Sequence, residues 1–178
     1  MKKIIVAIAA LMLALSANAQ MYVGGSVSMN SDGDNERTSF ELLPEIGYRL
    51  NDKWTVGGVL GFTYGKDNGE NIKYSIFEIA PYARYSVLSM GPVNFFVDGG
   101  VGFSFAKAKS TLATVSEYSL FEIGFKPGLA IPVSDNLSFV GHVGFLGYRD
   151  NDGLSSQDNG FCLNVGGNDV SFGIYYSF

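Results

Sequence analysis

The last eight residues of the chain alternate strictly between an apolar face and a more polar face. The apolar face carries Phe172, Ile174, Tyr176 and Phe178. The other face carries Ser171, Gly173, Tyr175 and Ser177. Period-two alternation of this kind predicts a β-strand whose two sides meet different surroundings. We therefore expect a β protein in which each strand separates two environments.

The start of the chain predicts a secretory signal peptide. Lys2 and Lys3 supply its positive start, residues 4–15 form its apolar stretch, and a small-x-small cleavage pattern ends it. The apolar stretch of 12 residues is shorter than the roughly 20 that a membrane-spanning helix needs. We therefore divide the chain into a signal at 1–19 and a single exported domain at 20–178.

Composition excludes several classes of protein. Removing Lys2 and Lys3 with the signal changes the formal charge from −5 to −7, which argues against nucleic acid as a partner. Cys162 is the only cysteine, so no internal disulfide is expected. After the signal no apolar run reaches 18 residues, so no transmembrane helix is predicted. The 23 glycines, 14% aromatic residues and only 16% charged residues favour a β protein whose outside is not water.

Eight strands are predicted, arranged as four hairpins. They lie at 21–30, 39–50, 54–64, 72–87, 93–105, 117–131, 137–148 and 163–178. Tight, turn-rich connections occupy 51–53, 89–92 and 133–136. Longer polar connections occupy 31–38, 65–71, 106–116 and 149–160. An even strand number with short turns at one rim and long loops at the other is typical of bacterial outer-membrane barrels, whose short turns and termini are periplasmic.

Short motifs repeat from hairpin to hairpin. Strands two, four and six carry Phe40-Glu41-Leu42, Phe77-Glu78-Ile79 and Phe121-Glu122-Ile123, each followed by a proline, at Pro44, Pro81 and Pro127. Strands three, five and seven carry Leu60-Gly61-Phe62, Val101-Gly102-Phe103 and Val143-Gly144-Phe145. A repeated hairpin indicates an up-and-down meander rather than a Greek key. Because proline removes a donor from the ladder, we expect bulges or local irregularity near the three prolines.

The chemistry of the two strand faces indicates what surrounds the sheet. One face carries Phe40, Leu42, Ile46, Tyr48, Trp54, Val56, Leu60, Phe62, Tyr64, Phe95, Val97, Val101 and Phe103. The opposite face carries Glu41, Glu45, Gly47, Arg49, Thr55, Gly57, Gly61, Thr63, Asp98, Gly100, Gly102 and Ser104. Glycines with isolated charges suit the crowded lumen of a narrow barrel, whereas a solvated β surface prefers Thr, Lys and Glu. The second face is therefore assigned to the lumen.

The large apolar face suits contact with lipid. Candidate interface aromatics near the strand ends are Tyr48, Trp54, Tyr64 and Tyr85. Closure into a barrel also satisfies every backbone hydrogen bond in lipid, which an open sheet could not do. We therefore predict an all-β fold, an eight-stranded antiparallel up-and-down transmembrane β-barrel.

The chain resembles the small OmpA/OmpX-like outer-membrane β-barrel family, also labelled the porin family or outer-membrane β-barrel domain. The resemblance rests on the signal, the four hairpins and the segment 44–54, Pro-Glu-Ile-Gly-Tyr-Arg-Leu-Asn-Asp-Lys-Trp. The final strand also matches the assembly signal of such barrels, at Ser171, Gly173, Tyr176 and Phe178. The resemblance implies location in the outer membrane of a Gram-negative-type bacterium and recognition by the barrel-assembly machinery. It implies no single function, because a fold does not determine a task.

Charged residues on the inward face form the candidate site. They are Glu41, Glu45, Arg49, Glu78, Arg84, Asp98, Glu122, Lys126 and Asp169. Buried charges must pair, so we predict a lumen network of carboxylates and basic groups. The interior of an eight-stranded barrel is just wide enough for its own side chains, so the network is predicted to fill it. The alternative is a gated path in which charge pairs exchange partners, with a mild preference for cations.

Catalytic, metal and cofactor sites are not predicted. His142, the only histidine, falls on the inward face and is expected to be hydrogen-bonded in the lumen. Barrel enzymes of this size act on lipid A, and one class carries a His/Ser/Glu set on the lipid face, which this chain does not match. No zinc-ligand spacing is present, and the acidic loops at 32–36 and 149–160 lack the EF-hand spacing. Cys162 is expected to be a packed free thiol.

Four functions are compatible with these sequence features. The first is a non-enzymatic envelope protein that contacts outer-membrane lipid and lipopolysaccharide and offers its loops to an extracellular partner. The second is a narrow or gated porin-like channel for small solutes. The third is a lipid A-modifying enzyme, for which the sequence offers no activated nucleophile. The fourth is a soluble ligand-binding barrel, which heat-modifiable migration on SDS gels and membrane fractionation would exclude.

Overall fold

The computed structural model describes residues 20–32, 37–67, 72–110, 116–152, 160–164 and 170–178. These residues form the strands β1 (Met21–Asp32), β2 (Arg37–Arg49), β3 (Trp54–Asp67), β4 (Ile72–Met90), β5 (Val93–Ser110), β6 (Ser116–Pro132), β7 (Leu137–Val143), β8 (Phe145–Asp152), β9 (Gly160–Asn164) and β10 (Val170–Ser177). In this described part of the chain, no helix is long and apolar enough to cross a membrane.

The strands close into a barrel with eight positions around its wall. β1 to β6 pair antiparallel in chain order. β7 and β8 share the seventh position, since both pair with β6. β9 and β10 share the eighth, where they pair with β8 and β7. β10 also pairs with β1, from Ser177 opposite Tyr22 to Gly173 opposite Ser26, and this closes the barrel. The predicted eight-stranded antiparallel meander is confirmed.

The hairpins extend further than predicted at the rim opposite the termini. β4 has 19 residues and β5 has 18, whereas about 9–11 are enough to cross a bilayer. At this rim the described strands end at Asp32, Asp67, Ser110 and Asp152, and the next strands begin at Arg37, Ile72, Ser116 and Gly160. The polar residues at this rim remain in strands because their backbone groups still pair with a neighbouring strand. The prediction that Arg149 belongs to a loop is therefore wrong, because Arg149 lies in β8 and pairs with Glu122 on β6.

Two of the strand prolines interrupt backbone pairing on one side only. Leu43 and Pro44 are unpaired in the β2–β3 ladder, and Ala80 and Pro81 are unpaired in the β4–β5 ladder. The register is the same on both sides of each gap. On their other side both prolines remain paired. The missing N–H of proline accounts for this asymmetry. The expected irregularity is confirmed at both positions, where it is a gap in the ladder and not a bulge. The β4–β5 register shifts between Ser86 and Leu88.

A bulge reshapes the seventh wall position. Phe125 of β6 pairs with Leu146 of β8, and Gly128 of β6 pairs with His142 of β7. Three residues on β6 thus lie opposite four residues on the facing chain. The extra residue lies at Gly144, whose φ of 78° is in the left-handed region that favours glycine. Alternation reverses beyond it, so Phe145 is only 3% exposed, whereas Phe62 and Phe103 at the matching repeat position lie exposed on the outer wall. The irregularity expected near Pro127 is thus a bulge on the neighbouring strand.

The outer wall is apolar, as the alternation predicts. Large side chains exposed on it include Phe40, Leu42, Ile46, Leu60, Phe62, Ile79, Phe95, Phe103, Phe105, Ile123, Phe125, Phe172 and Ile174. Trp54 packs against Tyr85 near the turn rim, with 4.9 Å between ring centroids, and Tyr64 lies towards the other rim on β3. An apolar surface that encircles a closed sheet fits lipid contact.

Candidate functional site in the barrel lumen

Arg84 on β4 is buried in the lumen with two carboxylates. Its Nε donates to Asp98 Oδ1 at 2.7 Å and its Nη2 donates to Asp98 Oδ2 at 2.8 Å, which makes a bidentate pair. Nη2 also lies 3.5 Å from Glu45 Oε1. The guanidinium carbon sits 3.9 Å from the ring centroid of Phe96. Charge-assisted bonds and an aromatic face therefore surround this buried cation.

Glu45 on β2 accepts hydrogen bonds from three tyrosines. Tyr22 donates to Oε1 at 3.0 Å, Tyr82 also donates to Oε1, and Tyr175 donates to Oε2. The rings of Tyr22 and Tyr175 stack with their centroids 4.7 Å apart. Because Tyr22 lies on β1 and Tyr175 on β10, this cluster joins the two strands that close the barrel.

His142 on β7 completes the same cluster. Its Nε2 lies 2.9 Å from Asp98 Oδ2 and 3.5 Å from Arg84 Nη2, and its ring meets the Phe96 ring edge-on. We call this set the Arg84 network. Its members are Tyr22, Glu45, Tyr82, Arg84, Phe96, Asp98, His142 and Tyr175. The network lies in the half of the barrel nearer the termini, since Tyr22 is the second residue of β1.

Glycines on neighbouring strands make room for the rings of the Arg84 network. The pairs are Gly24 with Tyr175, Gly47 with Tyr22, Gly57 with Tyr82 and Gly128 with Phe96. In each pair a Cβ on the glycine would collide with the facing ring. The inward-facing glycines therefore leave the space that the aromatic side chains occupy in the lumen.

A second charge cluster, the Glu122 network, lies towards the loop rim. Lys126 Nζ donates to Glu122 Oε1 at 2.7 Å, and Arg149 Nε donates to Glu122 Oε2 at 3.3 Å. The Phe145 ring packs under both cations, with the Arg149 guanidinium carbon 4.2 Å from its centroid. Arg149 and Phe145 point inward only because the bulge at Gly144 reverses the alternation of β8. The bulge therefore adds Arg149 and Phe145 to the pair that Lys126 and Glu122 form on β6.

A polar cavity of ≈ 540 Å³ lies in the lumen between these clusters. Glu41 and Glu78 line it from β2 and β4, and Lys126 and Arg149 line it from β6 and β8. Thr63 donates to Glu41 at 3.4 Å. Within the described ranges no group of three or more His, Cys, Asp or Glu side chains is arranged to hold a metal ion.

The structure brings most of the predicted lumen residues together. Glu45, Arg84 and Asp98 belong to the Arg84 network, whereas Glu122 and Lys126 belong to the Glu122 network. Glu41 and Glu78 line the cavity. Arg49 is exposed at the turn rim. Asp169 lies outside the described residues, and Cys162 is a half-buried free thiol on β9.

The aromatic half of the site was not predicted from the sequence. Tyr22, Tyr82 and Tyr175 all fall on the inward face by parity, and Tyr82 lies two residues before Arg84. Their position on the same face as the predicted lumen charges is the sequence feature from which these tyrosines could have been predicted. The inward position of Arg149 and Phe145 carries no such signal, because it depends on a bulge.

The residues of the predicted assembly signal lie on the closing strand. Ser171, Gly173 and Tyr176 belong to β10, and the backbone N–H of Phe178 donates to Met21 O at 3.1 Å. The rings of Tyr176 and Phe178 meet edge-on with centroids 5.2 Å apart. Recognition of these residues by the assembly machinery stays a prediction.

Replacing Tyr82 with Phe tests the tyrosine cluster. The change removes one of the donors to buried Glu45 without changing the ring, so we expect the free energy of unfolding to fall by about 1 kcal/mol. Urea titration of the refolded barrel in phospholipid vesicles, followed by Trp54 fluorescence, measures this. Tyr64→Phe on the outer wall is the matched control and should change the value by less than about 0.5 kcal/mol. Equal effects of the two changes would contradict the cluster's contribution.

The closed antiparallel sheet, its apolar outer wall and its polar interior define a transmembrane β-barrel of the outer-membrane class. Residues 4–178 match the family described as outer membrane protein beta-barrel domain. The chain belongs to this family, which places it in the outer membrane of a Gram-negative-type bacterium.

The fold is similar to that of two solved outer-membrane barrels. The chain is 17% identical to Neisserial surface protein A, over 89% of this chain and 96% of that one, with a TM-score of 0.54. It is 13% identical to the N-terminal β-barrel domain of OprF from Pseudomonas aeruginosa, over 90% of this chain and 98% of that one, with a TM-score of 0.51. At these identities the likeness shows the fold alone. Among curated proteins no match was found.

Proposed function

We propose that this protein is a non-enzymatic outer-membrane barrel that stabilises the cell envelope and whose lumen is blocked at the Arg84 network. The observation that carries the proposal is the convergence of side chains from β1, β2, β5, β7 and β10 on buried Arg84 of β4. An eight-stranded barrel has little width beyond its own side chains. We infer that the bidentate pair, the aromatic face and the three tyrosines interrupt a continuous water path at this level.

Pairing also opposes movement of the block. Displacing the guanidinium of Arg84 would leave the carboxylates of Asp98 and Glu45 buried without their cation, which is strongly unfavourable. Asp98 is held at the same time by His142. The lumen charges therefore support a structural role. Because they are paired with one another, we assign them no catalytic role.

The partners proposed for this barrel follow from its position. Outer-membrane lipid and lipopolysaccharide surround its apolar wall, and the barrel-assembly machinery would receive β10 during biogenesis. The hairpin ends at the rim opposite the termini are proposed to meet an extracellular partner. No nucleic acid is expected, given the formal charge of −5.

Single-channel recording in planar bilayers tests the block. We expect the refolded chain, residues 20–178, to give no steady openings. Replacing Arg84 and Asp98 together with Ser removes both charges of the bidentate pair, and we expect it to create openings. Lys107→Gln on the outer wall is the matched control and should stay silent.

Steady openings of the unmodified chain would overturn the block and favour the second candidate, a narrow channel for small solutes. The observation that favours a channel is the cavity of ≈ 540 Å³ lined by Glu41 and Glu78. Openings that change when Glu78 is neutralised would assign conduction to that cavity. Catalysis on lipid A is tested separately by mass spectrometry. We expect lipid A from cells that overproduce the protein to have the same mass spectrum as lipid A from cells that lack it.

A further inference from the structure

Three exposed lysines lie directly opposite one another on the outer wall. Lys66 on β3 pairs in register with Lys73 on β4, and Lys73 pairs with Lys109 on β5. All three side chains are exposed, whereas their sequence neighbours Gly65 and Ala108 are not. The three lysines therefore form one continuous row on the lipid side of the wall, which we call the lysine row.

The rows below the lysine row grade from polar to apolar. The next row towards the turns holds Tyr64, Ser75 and Lys107, and the one below it holds Phe62, Phe77 and Phe105. Lys66 lies 12 residues along β3 from Trp54. At about 3.3 Å per residue and a strand tilt of about 40°, that separation is roughly 30 Å along the barrel axis, against an apolar band of about 25 Å. The lysine row thus lies where lipid tails give way to headgroups.

Like charges directly opposite each other destabilise a sheet, so an anion bound to the lysine row would stabilise it. Among the described residues, Lys107 forms a salt bridge with Glu117 at 2.8 Å, but no carboxylate forms one with a member of the row. No outward-facing side chain described at this level of β3, β4 or β5 is acidic. No carboxylate of the described residues therefore competes with an external anion for the lysine row.

We propose that the lysine row binds the phosphate groups of an outer-leaflet lipid, the lipid A part of lipopolysaccharide. A phosphate supplies the missing negative charge, and the acyl chains of the same molecule meet the phenylalanine row below. Lysine ammonium groups on flexible stems suit phosphates that approach in several orientations. An acidic extracellular protein would supply charge but no contact for the apolar rows. The inference rests on the outer-membrane placement of the barrel and is independent of whether the lumen conducts.

Binding of diphosphoryl lipid A to the detergent-solubilised, refolded chain tests this site, with native mass spectrometry giving the dissociation constant. Replacing Lys66, Lys73 and Lys109 together with Gln is expected to weaken binding about a hundredfold. The charge-preserving change of the same three residues to Arg should retain binding within a few-fold. Lys53→Gln at the turn rim is the control for loss of charge elsewhere and should bind like the unmodified chain.

Several results would overturn the proposal. One is equal binding of diphosphoryl lipid A by the Gln variant and the unmodified chain. Another is binding of polyglutamate as tight as that of lipid A, which would assign the row to an acidic protein. If the triple Gln variant lacks the heat-modifiable gel migration of a folded barrel, Lys73→Gln alone replaces it, with a loss of several-fold expected. Conductance of the Gln variant should match that of the unmodified chain, so failure here is distinct from failure of the lumen block.

Discussion

Replacing Arg84 with Met is expected to lower the free energy of unfolding by about 3–5 kcal/mol, because it leaves two buried carboxylates without their cation. Asp98 would lose both of its bonds to the guanidinium, at 2.7 and 2.8 Å. Glu45 would keep its tyrosine donors but lose the nearby positive charge. Urea titration of the refolded barrel in phospholipid vesicles measures the change through Trp54, the only tryptophan.

Two further variants show whether burial of charge is the cause. Arg49→Met removes an exposed arginine at the turn rim and should change stability by no more than about 0.5 kcal/mol. The double change Arg84→Met with Asp98→Leu removes both partners of the pair, and it should recover a large part of the loss. A loss of less than about 1 kcal/mol for Arg84→Met alone would mean that the network does not hold the barrel together.

Replacing Gly147 with Ala is the second change from which a large effect is expected. A Cβ at this position would collide with the backbone carbonyl oxygen of Ile123 and lie 2.6 Å from Gly124 Cα. Backbone cannot move aside as a flexible side chain does, so β6 and β8 must separate. We expect a loss of about 1–3 kcal/mol or failure to refold, measured by urea titration and by heat-modifiable gel migration.

Gly58→Ala is the matched control for this change. The nearest atoms to a Cβ at Gly58 lie 3.9 Å away, which is ordinary contact. The substitution should leave stability unchanged or raise it by up to about 1 kcal/mol, since alanine restricts the unfolded chain. Equal losses for the two variants would show that glycine at position 147 is not required by the close approach of β6.

Local alternation was sufficient to predict most of the barrel wall. Residues such as Phe62 and Ile174 face lipid and Glu45 faces the lumen, because side chains alternate with a period of two and the two environments differ. Strand ends were predicted less well. β4 and β5 continue past the apolar residues because each remains paired with a neighbouring strand. The length of that neighbour cannot be predicted from the residues of the strand itself.

The grouping of the lumen residues depends on the register between strands. Glu45, Arg84 and Asp98 could each be assigned to the lumen from the sequence, yet nothing local predicts that they meet. Tyr175 reaches Glu45 across 130 residues of sequence. Such contacts are set by how far each hairpin is shifted against the next, and alternation along one strand does not report that shift.

The sequence by itself determined the class of protein, the number of strands and the face that most residues present, because those depend on periodicity and on the contrast between lipid and lumen. The tertiary structure alone decided which residues meet. The bulge at Gly144 turned Phe145 and Arg149 inward, closure of β10 on β1 joined Tyr22 to Tyr175, and ladder register aligned the lysine row. Each of these depends on pairing between strands, whose geometry is settled only when the barrel closes.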